Sequence, residues 1–209
     1  GAGTMTALGT GAGINIAAGA THDLTPLGAG NTYALSTATL SASGLGLAAG
    51  TTAAAIKPDP TSTVDLAAGA KGISLIITPT SFTGDTAHPA LYVAQGALAL
   101  GGNAFSIINA AGTPLGVGTY RLIQQASGNI ADGGGYSVVG VTGSGLVPGA
   151  VATIQVSGGN VNLVVTAYTA KDLVWTGGSV NANWNIATDA NWLSGSLASV
   201  FNNSDNVTF

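Results

Sequence analysis

The chain is expected to be all-β, folded as a parallel β-solenoid that ends in an antiparallel hairpin or capping section, with a β-sandwich as the alternative. Three observations lead there. Helix signals are nearly absent: Thr51-Thr52-Ala53-Ala54-Ala55 holds helix formers but is cut short by Gly50 and Pro58. Short apolar or alternating runs recur along the chain, separated by Gly- and Asn-rich turn pairs. Finally, 33 of the 209 residues are glycine and only 6% are charged, so close stacking and sharp corners are favoured over charged wet faces.

Three regions follow from texture. Residues 1–30 are Gly/Ala-rich with weak alternation, as in Ile14-Asn15-Ile16-Ala17-Ala18-Gly19-Ala20, and read as solenoid-like strands. Residues 31–170 hold the regular strands of the main all-β domain. Leu75-Ile76-Ile77, Leu91-Tyr92-Val93, Ala97 to Leu100, Phe105 to Ile108, Tyr120 to Ile123 and Tyr136 to Val139 are separated by turns such as Gly101-Gly102-Asn103 and Gly133-Gly134-Gly135. Gly158-Gly159-Asn160 is a tight hairpin signal, with Thr153–Val156 and Val161–Val165 as its arms. Residues 171–209 contain all three tryptophans and a local repeat: Asn181-Ala182-Asn183-Trp184, then Asp189-Ala190-Asn191-Trp192. At about 22 residues per coil, a chain that was solenoid throughout would stack about nine coils.

Composition excludes several functions. Four scattered cations (Lys57, Lys71, Arg121, Lys171) cannot build the basic patch a nucleic-acid binder needs. Without cysteine there is neither a disulfide framework nor a thiolate metal site. The uncharged stretch from Gly133 to Ala170 is broken by Gly, Ser, Thr, Asn and Pro148, so no membrane span is expected. The N-terminus lacks a basic and an apolar leader segment, and reads as a mature end or an internal cut in a longer chain.

The tail, from Leu173-Val174-Trp175-Thr176-Gly177-Gly178 through Asn183-Trp184 and Asn191-Trp192 to Asp205-Asn206-Val207-Thr208-Phe209, resembles a segment of bacterial secreted proteins with autotransporter-associated β-strand repeats. Gly118 to Ile123 with Ala152 to Val165 is similar to the segment closing such a solenoid, and Ile14 to Thr21 to one generic coil. In that family the tryptophan segment opens the solenoid. Here it lies at the C-terminal end, which implies either a piece of a tandem array or a subunit whose last strands continue a neighbour's sheet. The resemblance implies an extracellular or cell-surface location.

Candidate chemistry is sparse. The eight acids are all Asp and evenly spread (23, 59, 65, 85, 132, 172, 189, 205), with none of the paired carboxylates that sugar-cleaving β-helices require. Turn and cap roles explain them, and no enzyme is expected. His22 and His88 are isolated, and Asn202-Asn203-Ser204-Asp205-Asn206 lacks the spaced carboxylates of a calcium loop, so no metal or cofactor is expected. Trp175, Trp184 and Trp192, with Val207 and Phe209, are the candidate site. They read first as core or inter-subunit anchors and second as a sugar-stacking platform. The resulting expectation is an extracellular structural protein that polymerises head-to-tail, residues 171–209 docking near residues 1–20 of a neighbour, with weak dependence on salt. The alternative is a monomeric adhesin or carbohydrate-binding module that engages a surface polysaccharide.

Overall fold

A computed structural model describes residues 4–5, 13–34, 39–44, 53–68, 72–177, 189–202 and 205–209. Two compact units are formed: Gly1–Val147 with Ala152–Thr166, and Pro148–Val151 with Ala167–Phe209.

In the first unit, alternation becomes coiling. Strands β1 (Thr4–Met5), β2 (Ile14–Ile16) and β3 (Thr21–Asp23) make the first coil, and β4 (Thr32–Ala34), β5 (Leu40–Ser43) and β6 (Ala54–Lys57) the second. The third holds β7 (Thr63–Asp65), β8 (Gly72–Ile77) and β9 (Leu91–Val93), the fourth β10 (Ala97–Leu100), β11 (Ala104–Asn109) and β12 (Gly118–Gln125). A fifth begins with β13 (Ile130–Asp132) and β14 (Ser137–Gly143). Like positions pair in parallel, giving sheets ordered β1-β4-β7-β10-β13, β14-β11-β8-β5-β2 and, on the third face, β12-β9-β6-β3. The chain is therefore a β-solenoid, with one 3-10 turn at Thr25–Leu27 among the described residues.

The coils are longer than 22 residues, and there are about five of them rather than nine. Thr32 pairs with Thr63, 31 residues on, and Thr63 with Ala97, 34 residues on. Each coil carries three strands and their corners, and excursions such as residues 78–90 lengthen it further.

Register stacks like on like. Along the second sheet, Ile16, Ala42, Leu75, Ile107 and Val141 form one inward column, and Leu40, Ile73 and Phe105 another. On the first sheet the column is Tyr33, Val64, Leu98 and Ile130. On the third it is Ala54, Leu91, Ile123 and Val161. Strands β8 and β11 bury every second residue, so each coil contributes its apolar set to one shared core. Each fully buried Leu or Ile adds about 1.5–3 kcal/mol relative to exposure.

Corners are held by buried amides. Asn103, fully buried, donates Nδ2–H to the Leu66 carbonyl one coil earlier (2.9 Å) and accepts from Gly101 N–H (2.8 Å). Gln125 donates Nε2–H to the Gly96 carbonyl (2.6 Å) and accepts from Asn129 N–H (3.0 Å). Gly96 itself sits at φ +71°, and a Cβ there would lie 2.5 Å from the Ser62 carbonyl oxygen. Both the backbone conformation and the space demand glycine.

The third sheet stops differently from the other two. Strands β15 (Ala150–Ser157) and β16 (Asn160–Ala167) form a hairpin, and β16 pairs antiparallel with β12, from Gly118↔Val165 to Gln124↔Asn160. Gly158 (φ 56°) and Gly159 (φ 73°) supply the two left-handed turn residues that a tight hairpin needs. The expected hairpin is thus present, with arms slightly longer than the sequence marks, and it is the antiparallel cap of this face.

In the second unit, β17 (Asp172–Trp175) pairs antiparallel with β18 (Trp192–Ser194) and parallel with β20 (Asn206–Thr208), and β19 (Leu197–Ser199) extends the sheet beyond β18.

Candidate functional site

The tryptophan segment is the first candidate. Trp175 and Trp192 are cross-strand partners, their ring centroids 4.8 Å apart at 65°. Trp192 is buried and also packs against Phe201 (5.5 Å) and Phe209 (6.0 Å). Trp175 and Val207 are half-buried, and Phe209 is 75% exposed. The structure thus brings Trp175, Trp192 and Phe209 together, with Val207 on the neighbouring strand β20. Trp192 meets Trp175 and Phe209 edge to face and Phe201 at a 32° tilt, so it is the buried centre of the cluster with Phe209 exposed beside it. Trp184 and its Asn181–Trp184 motif lie outside the described residues.

Asp205 is tied to its own chain, Asn202 included. Asp205 accepts from Lys171 N–H (2.8 Å), Asn202 N–H (2.8 Å) and the Tyr168 hydroxyl (2.7 Å). Burial raises its pKa, but these donors outweigh that and hold the carboxyl below its ordinary value. Both carboxylate oxygens are thereby occupied by protein donors. Four other carboxylates serve their own turns: Asp23, Asp59, Asp65 and Asp132 each accept from a backbone N–H two or three residues ahead. Among the described residues there is no group of three or more His and Asp side chains that could hold a metal ion. No helix among the described residues is long and apolar enough to cross a membrane.

A second candidate lies on the outer face of the third sheet. Thr21, Ala55, Tyr92 and Gln124 are in register across β3, β6, β9 and β12, making one outward column. Beside it a cavity of about 410 Å³ opens, bordered by Lys57 and by His88 of the excursion between β8 and β9. That excursion is pinned to β12: Asp85 N–H donates to the Thr119 carbonyl (2.9 Å), and Arg121 N–H donates to the Asp85 carbonyl (2.9 Å). Asp85, 7% exposed, accepts from Thr80 N–H (2.7 Å), Ala87 N–H (3.0 Å) and His88 Nδ1 (2.8 Å). Burial raises the Asp85 pKa, yet these donors prevail and hold it at about 2. The carboxylate therefore orients the imidazole, which reaches the cavity wall as a fixed group.

Sequence reasoning places His88 in a loop and gives it no role. The column around it was not anticipated, because its members stand 34, 37 and 32 residues apart on separate strands. The signal that finds them is the coil period, which composition alone does not reveal.

No family model, no curated protein and no solved structure matches the chain.

Proposed function

We propose that the chain is a non-enzymatic, extracellular structural β-solenoid that associates end to end with copies of itself into a fibre or surface layer. The observation that supports this best is the set of open strand edges. Among the described residues, β13 and β14 pair on one side only, as do β1 and β2 at the opposite end of the same two sheets and β3 at the end of the third. Val139 on β14 is 69% exposed. In the tail sheet, among the described residues, β20 likewise pairs only with β17, and Phe209 just beyond it is exposed. Parallel edges with free N–H and C=O groups are templates for another strand. A head-to-tail contact between unlike edges builds an open polymer unless it closes into a ring.

The docking of residues 171–209 against residues 1–20 of a neighbour is the junction this reading favours. The likeness of the tail to secreted repeat proteins supports the extracellular setting. Electron microscopy of the purified chain, with and without residues 171–209, is the test. Filaments that disappear with the truncation are expected. Discrete particles from the full chain at every concentration, or filaments that survive the truncation, would sink the reading.

A further inference from the structure

We propose that the cavity beside the outward column of the third sheet binds a neutral saccharide, with one or two uncharged pyranose rings laid against Tyr92. The inference goes beyond end-to-end association and is independent of it, since every residue it uses lies within the solenoid unit.

Shape and lining point to that class of ligand. At about 410 Å³ the cavity falls within the roughly 300–1,000 Å³ of small-molecule sites. Ala55 in the column, with Ala53 and Ala94 beside it, keeps the floor low. The half-buried Tyr92 ring is left as the one large surface, suited to the C–H face of a pyranose. Around that ring stand the Thr21 hydroxyl on β3, the Gln124 amide on β12 and His88 on the excursion. Among the described residues no hydrogen bond engages the side chain of Thr21, Tyr92 or Gln124, whereas Gln125, next in the chain, commits its amide to Gly96, Ser127 and Asn129. A purely apolar ligand would bury these groups without partners, which a hydroxyl-bearing ring avoids.

The charges around the cavity are already matched within the chain, so they give an ionic ligand no advantage. Lys57, at the rim, is the in-register neighbour of Asp23 on β3, and the two attract. Asp85 is 7% exposed and accepts from Thr80 and Ala87 N–H groups as well as from His88 Nδ1. The neutral imidazole so held keeps its proton on Nδ1 and offers Nε2 as an acceptor. A ring hydroxyl can donate to Nε2, while Thr21 and Gln124 both donate and accept, as neighbouring hydroxyls on one ring require. The column Thr21–Ala55–Tyr92–Gln124 crosses four strands at about 4.8 Å per step. A linked pair of rings fits along it, across the strands.

Titration of the full chain with cellobiose, xylobiose and digalacturonate, backed by circular dichroism of each variant, tests the site. At least one of the two neutral sugars is expected to bind with a Kd below about 5 mM, and digalacturonate no more tightly. Tyr92→Ala should weaken that binding about tenfold and Gln124→Ala about fivefold, whereas Lys57→Gln should change it by less than about threefold. The Gln124 side chain holds nothing else in place, so Gln124→Ala keeps the test valid should Tyr92→Ala unfold. Absence of binding by both neutral sugars at about 10 mM would overturn the proposal, and so would unchanged affinity in Gln124→Ala. Tighter binding of digalacturonate, or a larger loss in Lys57→Gln, would show that charge selects the ligand and would overturn it as well.

Discussion

Asp85 and His88 are joined across a single turn, the carboxylate 2.8 Å from Nδ1, and the same carboxylate gathers the N–H groups of Thr80 and Ala87. One buried acid thus organises the whole excursion that overhangs the third sheet. Its lowered pKa fixes the sign of the pH effect. A carboxyl held at about 2 in the fold, against 3.8 ordinarily, contributes stability that is complete above pH 3.8 and fades as the pH falls towards 2. The contribution is on the order of 2 kcal/mol. Acid titration of the folded chain followed by circular dichroism should lose about that much between pH 4 and 2, and Asp85→Asn should abolish most of the dependence in that window.

Gly96→Ala should destabilise the solenoid by about 2–4 kcal/mol, because the new methyl meets the Ser62 and Asp59 carbonyl oxygens and the residue is left-handed. Gly102→Ala is the control: it shares the left-handed φ but has nothing within 4 Å of the new Cβ, so a cost of about 1 kcal/mol is expected. Urea denaturation of the pair separates the steric from the conformational effect.

Asn103→Ala removes the buried hydrogen bond to the Leu66 carbonyl and the part-buried one from Gly101 N–H. A loss of about 2–4 kcal/mol is expected. Hydrogen exchange should show lost protection on both sides of the corner, at residues 66–67 and 101–104, since the amide ties two coils together.

Val139→Lys places a charge on the open β14 edge at a position already exposed to solvent. Monomer stability should move by less than about 0.5 kcal/mol, and association through residues 171–209 and 1–20 should persist. If sedimentation shows weakened assembly, the β14 edge belongs to the junction as well.

Trp192→Ala should unfold the tail sheet, with a cost of about 3–5 kcal/mol for a buried indole packed on Trp175, Phe201 and Phe209. Trp175 fluorescence should shift to longer wavelength in the same variant. An unchanged spectrum would mean that the cluster does not depend on Trp192.

The sequence states local facts well. The runs at Leu75–Ile77, Leu91–Val93, Ala97–Leu100 and Phe105–Ile108 are all strands, and the glycine pair at 158–159 does turn a hairpin, because period-two burial and left-handed turns depend on near neighbours. The coil length is not legible in the sequence, because it depends on the corners and on excursions such as 78–90, which leave no periodic mark. The cavity was illegible for a related reason. Thr21, Ala55, Tyr92 and Gln124 are ordinary residues one by one and become a surface only when four coils are set in register. The tryptophans stand out as large side chains in a chain of small ones, and Trp192, read first as a core or inter-subunit anchor, is at 1% exposure.

The reversal of chain direction at β16 has a consequence for how such a chain can vary. Within the parallel part, an insertion or deletion of one whole coil leaves every neighbour with an equivalent partner, since each strand meets only the strand one coil before and one coil after. The strand that receives β16 is different, because its shifted register between Arg121 and Ile123 accommodates an antiparallel partner. Duplications are thus tolerable upstream of β12, whereas a coil added after it would have to displace the hairpin. The solenoid can be lengthened from its interior but not at that terminus.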